Sequence, residues 1–317
     1  MENNEVAQPN VLITGANSIV GLTVIKKLVA EGHKVYATTP TTVGAGEIRS
    51  AGGHPVYPDL TRASEIISTF KMAKTDILIH LEPQSFNTVP FNVQWDADAV
   101  ETNTRAIVKA AEEAGVSYIV YVSFAFLYAK SDSADESAAL ISASTNPVVK
   151  AALDAEKAVK NSSIQSIILR AGYAYSADSA GLAELPNFLR AGRPVVGSNT
   201  PSSWVHAGDL ASAITLAVEK RPDAEVLNIT DGVSVSTNDF LAKLKALTGI
   251  GASGSVPGFL RGMFTTKSAT ALMALGTNVN SDKAKTALGW SPVYPSVDAG
   301  LEQILLKWRA AETNEAI

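Results

Sequence analysis

The sequence predicts an α/β fold: a Rossmann-type doubly wound parallel sheet with a small C-terminal lobe. Three observations predict it. Short apolar runs alternate with helix-length amphipathic stretches through the first 175 residues. The first run, Val11 to Thr14, stops at Gly15 and leads directly into a helical pattern containing Gly21. The run over 118–123 is bulky and uninterrupted, as a strand buried on both faces requires.

The elements follow in order. Residues 11–14 form the first strand. Apolar positions 19, 20, 22, 25, 28 and 29 mark one face of a helix over 18–30, ended by Gly32. A strand covers 35–38, and a short helix over 47–51 closes at Gly52-Gly53. A third strand starts at Val56-Tyr57. A helix over 64–70, a strand over 76–81 and a long helix over 98–114, stopped by Gly115, precede the strand 118–123. Pro147 opens a helix over 147–160, and 166–170 is a sixth strand. The pattern then loosens. Residues 176–205 are punctuated by Gly, Pro and Ser and hold one short helix, 183–191. A helix over 209–219, a strand over 226–230 and a helix over 236–247 follow, the last capped by Ser236 or Thr237. Residues 251–280 are Gly/Ser-rich around an apolar knot at Phe259, Leu260, Met263 and Phe264, which suits a pocket lid, a subunit contact or lobe core. Helices over 281–290 and 297–311 complete the chain, with 312–317 frayed.

Composition excludes several functions. The net charge of −5 gives no basic face for nucleic acid. The absence of cysteine removes disulfides, thiolate catalysis and Cys-ligated metals. The four histidines, 33, 54, 80 and 206, form no metal-binding spacing. No apolar run approaches the roughly 18 residues of a membrane span, and the acidic start is no signal peptide. A soluble cytoplasmic protein is expected.

The strand–turn–helix at Val11-Leu-Ile-Thr-Gly-Ala-Asn-Ser-Ile-Val-Gly21 is the sharpest local signal. Such a turn lets backbone N–H groups and a helix N-terminus face a pyrophosphate. Further motifs stand in order behind it: Asp59-Leu60, His80-Leu81, Asn103, Tyr121-Val122-Ser123 with Leu127-Tyr128, Leu169-Arg170-Ala171-Gly172, Trp204-Val205-His206 with Asp209-Leu210-Ala211, and Leu288-Gly289-Trp290 with Pro292. Together they resemble the extended short-chain dehydrogenase/reductase family of NAD(P)-dependent epimerases, dehydratases and reductases, over nearly the whole chain. Ser18 departs from the family's middle glycine. The resemblance implies a Rossmann domain of 1–175 plus 206–231 and a substrate-binding lobe of 176–205 plus 232–317. It implies a dinucleotide over Gly15, Asn17, Ser18, Ile19, Val20 and Gly21. Its adenosine end would meet Thr39, Asp59 and Leu60, and its other end Leu81, Glu82, Pro83, Ser123, Ala171 and Tyr173. His80 and the His206–Asp209 pair read as structural, and Trp290 as core.

The family's proton relay is a Tyr with a Lys four residues later and a Ser. None of the eight tyrosines has Lys at that spacing. Registering Glu156 on the family's helix puts Val148 at the Tyr position and Ala152 at the Lys position, while Phe124 takes the Ser position. Three readings stay open. The chemistry is relocated to Tyr128, Tyr173 or Glu82; or the protein binds a dinucleotide without turnover, as a sensor or scaffold; or a lyase, isomerase or cyclase reaction replaces hydride transfer in an apolar pocket lined by Phe124, Phe126, Val148 and Trp204. No catalytic residue is assigned.

At the end of the second strand, Thr39 stands where an acid would select NAD, so the hydroxyl-rich segment 38–42 favours NADP over NAD. Ser202-Ser203-Trp204 lacks the diphosphate-binding Arg of sugar-nucleotide enzymes, which points to a small, partly apolar substrate. Ala99, Ala106, Ala110, Ala151, Ala155 and Ala158 allow close helix approach, and the resemblance implies a homodimer.

Overall fold

Every residue of β1 (Val11–Thr14) is buried, and the pleat divides it between two cores: Val11 and Ile13 face one side, Leu12 the other. The computed structural model describes residues 8–81, 96–143, 146–179, 181–251 and 262–315. The strands after β1 are β2 (Val35–Thr38), β3 (His54–Val56), β4 (Ile77–His80), β5 (Tyr118–Phe124), β6 (Gln165–Ala171), β7 (Tyr173–Tyr175), β8 (Pro201–Ser202), β9 (Trp204–His206), β10 (Val226–Ile229) and β11 (Val235–Ser236). Seven of them hydrogen-bond in parallel in the order β10-β6-β5-β4-β1-β2-β3. This is the doubly wound arrangement, in which the strand order reverses at β1 and β4 and opens a crevice at the carboxyl ends. β7 pairs with β9 and β8 with β11 outside the main sheet.

The helices are α1 (Ile19–Ala30), α2 (Thr42–Ser50), α3 (Ala63–Ala73), α4 (Ala97–Ala114), α5 (Pro147–Lys160), α6 (Leu185–Arg190), α7 (Ala207–Lys220), α8 (Thr237–Thr248), α9 (Lys267–Met273), α10 (Asp282–Leu288) and α11 (Val297–Glu315). α1 and α7 cover one face of the sheet, and α3, α4 and α5 the other. A third core joins the carboxyl end of β5 and the first turns of α5 to β7, β9, α6, α8, α9 and α11. The outer edge of β10 is closed by side chains: the Asn228 N–H donates to Glu136 Oε1 (2.7 Å) and the Thr230 N–H to Ser281 Oγ (2.9 Å). A sheet edge so occupied offers no template to another strand. Among the described residues, no helix is long and apolar enough to cross a membrane.

The structure corrects several expected elements. α2 begins at Thr42, not Glu47, because Thr41 caps it by accepting the Gly44 N–H at 3.1 Å. β3 ends at Val56 rather than starting there, since His54–Val56 pairs with Tyr36–Thr38. α9 lies inside the stretch expected to be irregular; Thr266 caps it, and Ala269, Leu272 and Met273 form its buried face. Phe259 and Leu260 lie outside the described residues, while Met263 is 75% exposed. α11 runs on to Glu315 instead of fraying after 311. Of the alanines named for helix approach, Ala110, Ala151 and Ala155 are spent within the chain, in the core where α4 meets α5.

Candidate functional site

Gly15 adopts φ +69°, and a Cβ there would stand 3.1 Å from the Leu81 backbone. The turn therefore needs glycine both for its left-handed backbone and for the close approach of the segment after β4. Gly21 packs α1 against the loop, where a Cβ would meet Ala16 O at 2.6 Å. Ser18, at the family's middle glycine, has extended backbone and caps α1: its Oγ accepts the Gly21 N–H at 3.0 Å and donates to Gly15 O at 3.3 Å. The α-helical hydrogen bonds start with the Leu22 N–H to Ser18 O (2.9 Å), so the N–H groups of Ile19 and Val20 precede the ladder. α1 has no acidic residue in its first turn. The N-terminus of α1 thus fits a pyrophosphate, with positive dipole and free donors.

At the other end of this loop, Asn17 lies against α2. Its Nδ2 donates to Glu47 Oε2 at 3.3 Å, and its buried Oδ1 has no donor among the described residues. A Cβ on Gly44 would collide with the Asn17 amide and with Thr39 Oγ1, so loop, strand end and helix meet at one spot. Thr39 is buried, and its hydroxyl spans the turn to Thr41 O at 3.3 Å. Asp59 is exposed and builds the turn into α3, its Oδ1 accepting from Thr61 Oγ1 (2.6 Å) and Thr61 N–H (2.9 Å). Those bonds hold its carboxyl below the usual range. Leu60 packs half-buried on the α3–α4 core.

At the carboxyl end of β5, Phe124, Val148 and Ala152, the positions that the resemblance assigns to the relay, converge. Phe124, Val148 and Ala152 are 2%, 5% and 0% exposed and belong to one apolar core with Phe126 and Trp204. Phe124 stacks on Phe126 at 5.0 Å, Phe126 meets Tyr173 at 6.1 Å, Tyr173 meets Trp204 at 5.4 Å, and Trp204 stacks on Phe240 at 4.3 Å. The expected pocket residues come together as packed core. Beside them lies a void of about 10 Å³ lined by Phe126, Ala171, Gly172, Tyr173, Ser203 and Thr277, room for one water at most. Glu82 and Pro83 lie outside the described residues.

The hydroxyls nearest this end, those of Ser123, Tyr128 and Tyr173, are engaged. Ser123 Oγ donates to Glu156 Oε1 at 2.6 Å. Tyr128 donates to Asn228 Oδ1 at 2.7 Å, with the Arg170 guanidinium 4.9 Å from its ring centre. Tyr173 donates to Leu272 O at 3.1 Å, and burial raises its hydroxyl pKa above the ordinary value. His80 sits between Thr14 Oγ1 (2.6 Å) and Thr104 Oγ1 (3.0 Å), and burial lowers its pKa to about 3, so it stays neutral. His206 caps α7 by accepting the Gly208 N–H at 3.2 Å, and Trp290 donates to Asp209 O at 3.0 Å. The Ser123–Glu156–Arg170 network escaped the sequence reading. Its signal was a Glu on the apolar face of α5 and an Arg in a buried strand, two charges that burial obliges to pair. Asn17–Glu47 had none, because 30 positions separate them.

Residues 11–230 match the model of the NAD dependent epimerase/dehydratase family. A 3-diazoavenalumate denitrifying reductase of a Streptomyces species is 25% identical over 312 residues, covering 92% of this chain and 98% of that protein. A ketoreductase of Stigmatella aurantiaca, acting on a farnesylated dihydroquinoline-oxide, is 26% identical over 257 residues, covering 77% of this chain and 75% of its own. Among solved structures, the UDP-glucose 4-epimerase of Thermotoga maritima superposes with TM-score 0.75 at 20% identity over 95% of this chain and 99% of that one. A human epimerase family protein with NADPH gives 0.71 at 19% identity, over 93% and 99%.

Proposed function

The chain belongs to the NAD-dependent epimerase/dehydratase family, and from that premise we propose that it is an NAD- or NADP-dependent reductase of a small, partly apolar molecule, working without a Tyr-Lys proton relay. Both curated relatives carry reductase names. The bound dinucleotide supplies a hydride. The chain supplies the N-terminus of α1 for the pyrophosphate and a dry end at Phe124, Val148 and Ala152.

The observation that carries this reading is the convergence of those three side chains, with the hydroxyls of Ser123, Tyr128 and Tyr173 committed to structural partners. Hydride added to a neutral carbonyl leaves an alkoxide that needs a proton at once. An acceptor that suits this site gives a neutral product without one, as a planar iminium or diazonium cation does. The relative named for denitrifying a diazo compound agrees in kind.

A matched pair of acceptors tests it: a cyclic iminium and the ketone of the same skeleton, each followed by cofactor consumption and by transfer of deuterium from labelled cofactor. The iminium is expected to react at a rate flat with pH, and the ketone only in traces. Brisk ketone turnover with a bell-shaped pH profile would refute the reading. A second reading, dinucleotide binding without turnover, rests on the near-complete burial of Phe124, Phe126 and Trp204. Cofactor binding with no consumption by any acceptor would assign it.

A further inference from the structure

The carboxylate missing from the end of β2 is delivered from elsewhere. Glu47, on the second turn of α2, reaches back to Asn17 of the glycine loop. We propose that Glu47 and Asn17 select the dinucleotide whose adenosine ribose carries free hydroxyls, so that the site takes NAD(H) in preference to NADP(H). The inference rests on the reading that a dinucleotide lies over Gly15–Gly21.

The donor and acceptor inventory supports it. The Asn17 amide spends its Nδ2 donor on Glu47, which ties the carboxylate to the glycine loop, and its buried Oδ1 has no donor among the described residues. Glu47 is exposed, and its carboxylate oxygens accept only. A ribose diol carries donors that the exposed Glu47 carboxylate can use. A 2′-phosphate carries none when ionised, and it brings charge of the same sign. No Lys or Arg stands between Thr38 and Ile48, nor in the loop from Gly15 to Ile25, to offset it. The nearest cation along α2, Arg49, has its Nη2 3.5 Å from the Tyr57 hydroxyl. The N-terminus of α2 offers partial positive charge, but Thr41 Oγ1 already takes its Gly44 N–H. Thr39, whose hydroxyl favoured NADP in the sequence, is buried and bonded across its own turn.

The test is direct titration of the full chain with NADH and NADPH, by fluorescence and by calorimetry, without any substrate. NADH is expected to bind about tenfold tighter, a difference of about 1.4 kcal/mol. The ratio should shrink as ionic strength rises, because charge repulsion is screened. Glu47→Gln should bring NADPH within about threefold of NADH, by weakening NADH and relieving the repulsion on NADPH, and Glu47→Arg should invert the order. The site is exposed, so circular dichroism and melting temperature should match the natural protein. Equal or tighter NADPH binding, or a ratio unmoved by Glu47→Gln, overturns this inference while the dinucleotide reading stands. Binding of neither dinucleotide overturns both.

Discussion

Glu156 grips Arg170 with two parallel hydrogen bonds, Nε to Oε1 at 2.9 Å and Nη2 to Oε2 at 2.7 Å, and both side chains are almost completely buried. Ser123 adds a third bond to the same carboxylate, and Tyr128 lays its ring over the guanidinium. The pair fastens α5 to β6 one turn along α5 from Ala152. Burial of two opposite charges is tolerable only because the fork geometry satisfies both.

Breaking that pair should be costly. Glu156→Gln leaves Arg170 buried without a counter-charge, and about 3–5 kcal/mol of stability should be lost. Ser123→Ala removes one bond to a charged acceptor and should cost about 1.5–3 kcal/mol. The double variant should fall short of the sum, since both act on one carboxylate. Urea unfolding of the three variants measures this; a Glu156→Gln loss below about 1 kcal/mol would show that the pair is dispensable.

Gly15→Val should abolish dinucleotide binding. The left-handed backbone and the 3.1 Å approach of Leu81 admit no Cβ without moving the turn. Ser18→Ala should act differently, weakening α1 by about 1 kcal/mol through loss of its cap while retaining the site. Titration of each variant with NADH, alongside its melting temperature, separates the two effects.

Tyr128→Phe and Tyr173→Phe should leave turnover and its pH profile in place. Each hydroxyl donates to a structural partner, so each loss should appear as about 1–3 kcal/mol of stability. A drop of about 10²–10⁴ in rate for either variant would instead identify a relocated acid.

Asp231 makes stability depend on pH. It is 7% exposed, with Oδ2 lacking a partner among the described residues, and burial first, then Asp209, raises its pKa to about 7. Among the described residues, the bond opposing the shift is the Val233 N–H on Oδ1, at 3.0 Å. A carboxyl whose folded pKa exceeds its unfolded value binds more protons when folded. Its contribution is therefore full below about pH 4 and is lost as pH rises through about 7. Asp231→Asn keeps the acceptor for Val233 and removes the charge. Thermal unfolding from about pH 5 to 8 should show a falling melting temperature in the natural protein and a flatter profile in the variant. A variant that melts lower at pH 8 with an unchanged slope would rule out Asp231 as the source.

The parallel sheet is legible in the sequence, because short apolar runs and period-3.6 helical faces are local patterns and strands such as 118–123 must be covered on both sides. The glycine turn is legible for the same reason: Gly15, Ser18 and Gly21 act within seven residues. That none of the eight tyrosines is followed by Lys at the family's spacing is likewise local, since it needs only a count along the chain. What the residues expected at the relay positions become is a matter of packing. Phe124 and Val148 are 24 residues apart in the chain, and whether their side chains line an open pocket or pack into a core depends on partners such as Trp204 and Leu272 from distant elements. The same holds for Glu47. Thr39 is read locally as a missing acid, and only the folding of α2 over Gly44 brings a carboxylate to Asn17, because contacts between distant positions follow helix packing and leave no periodic trace.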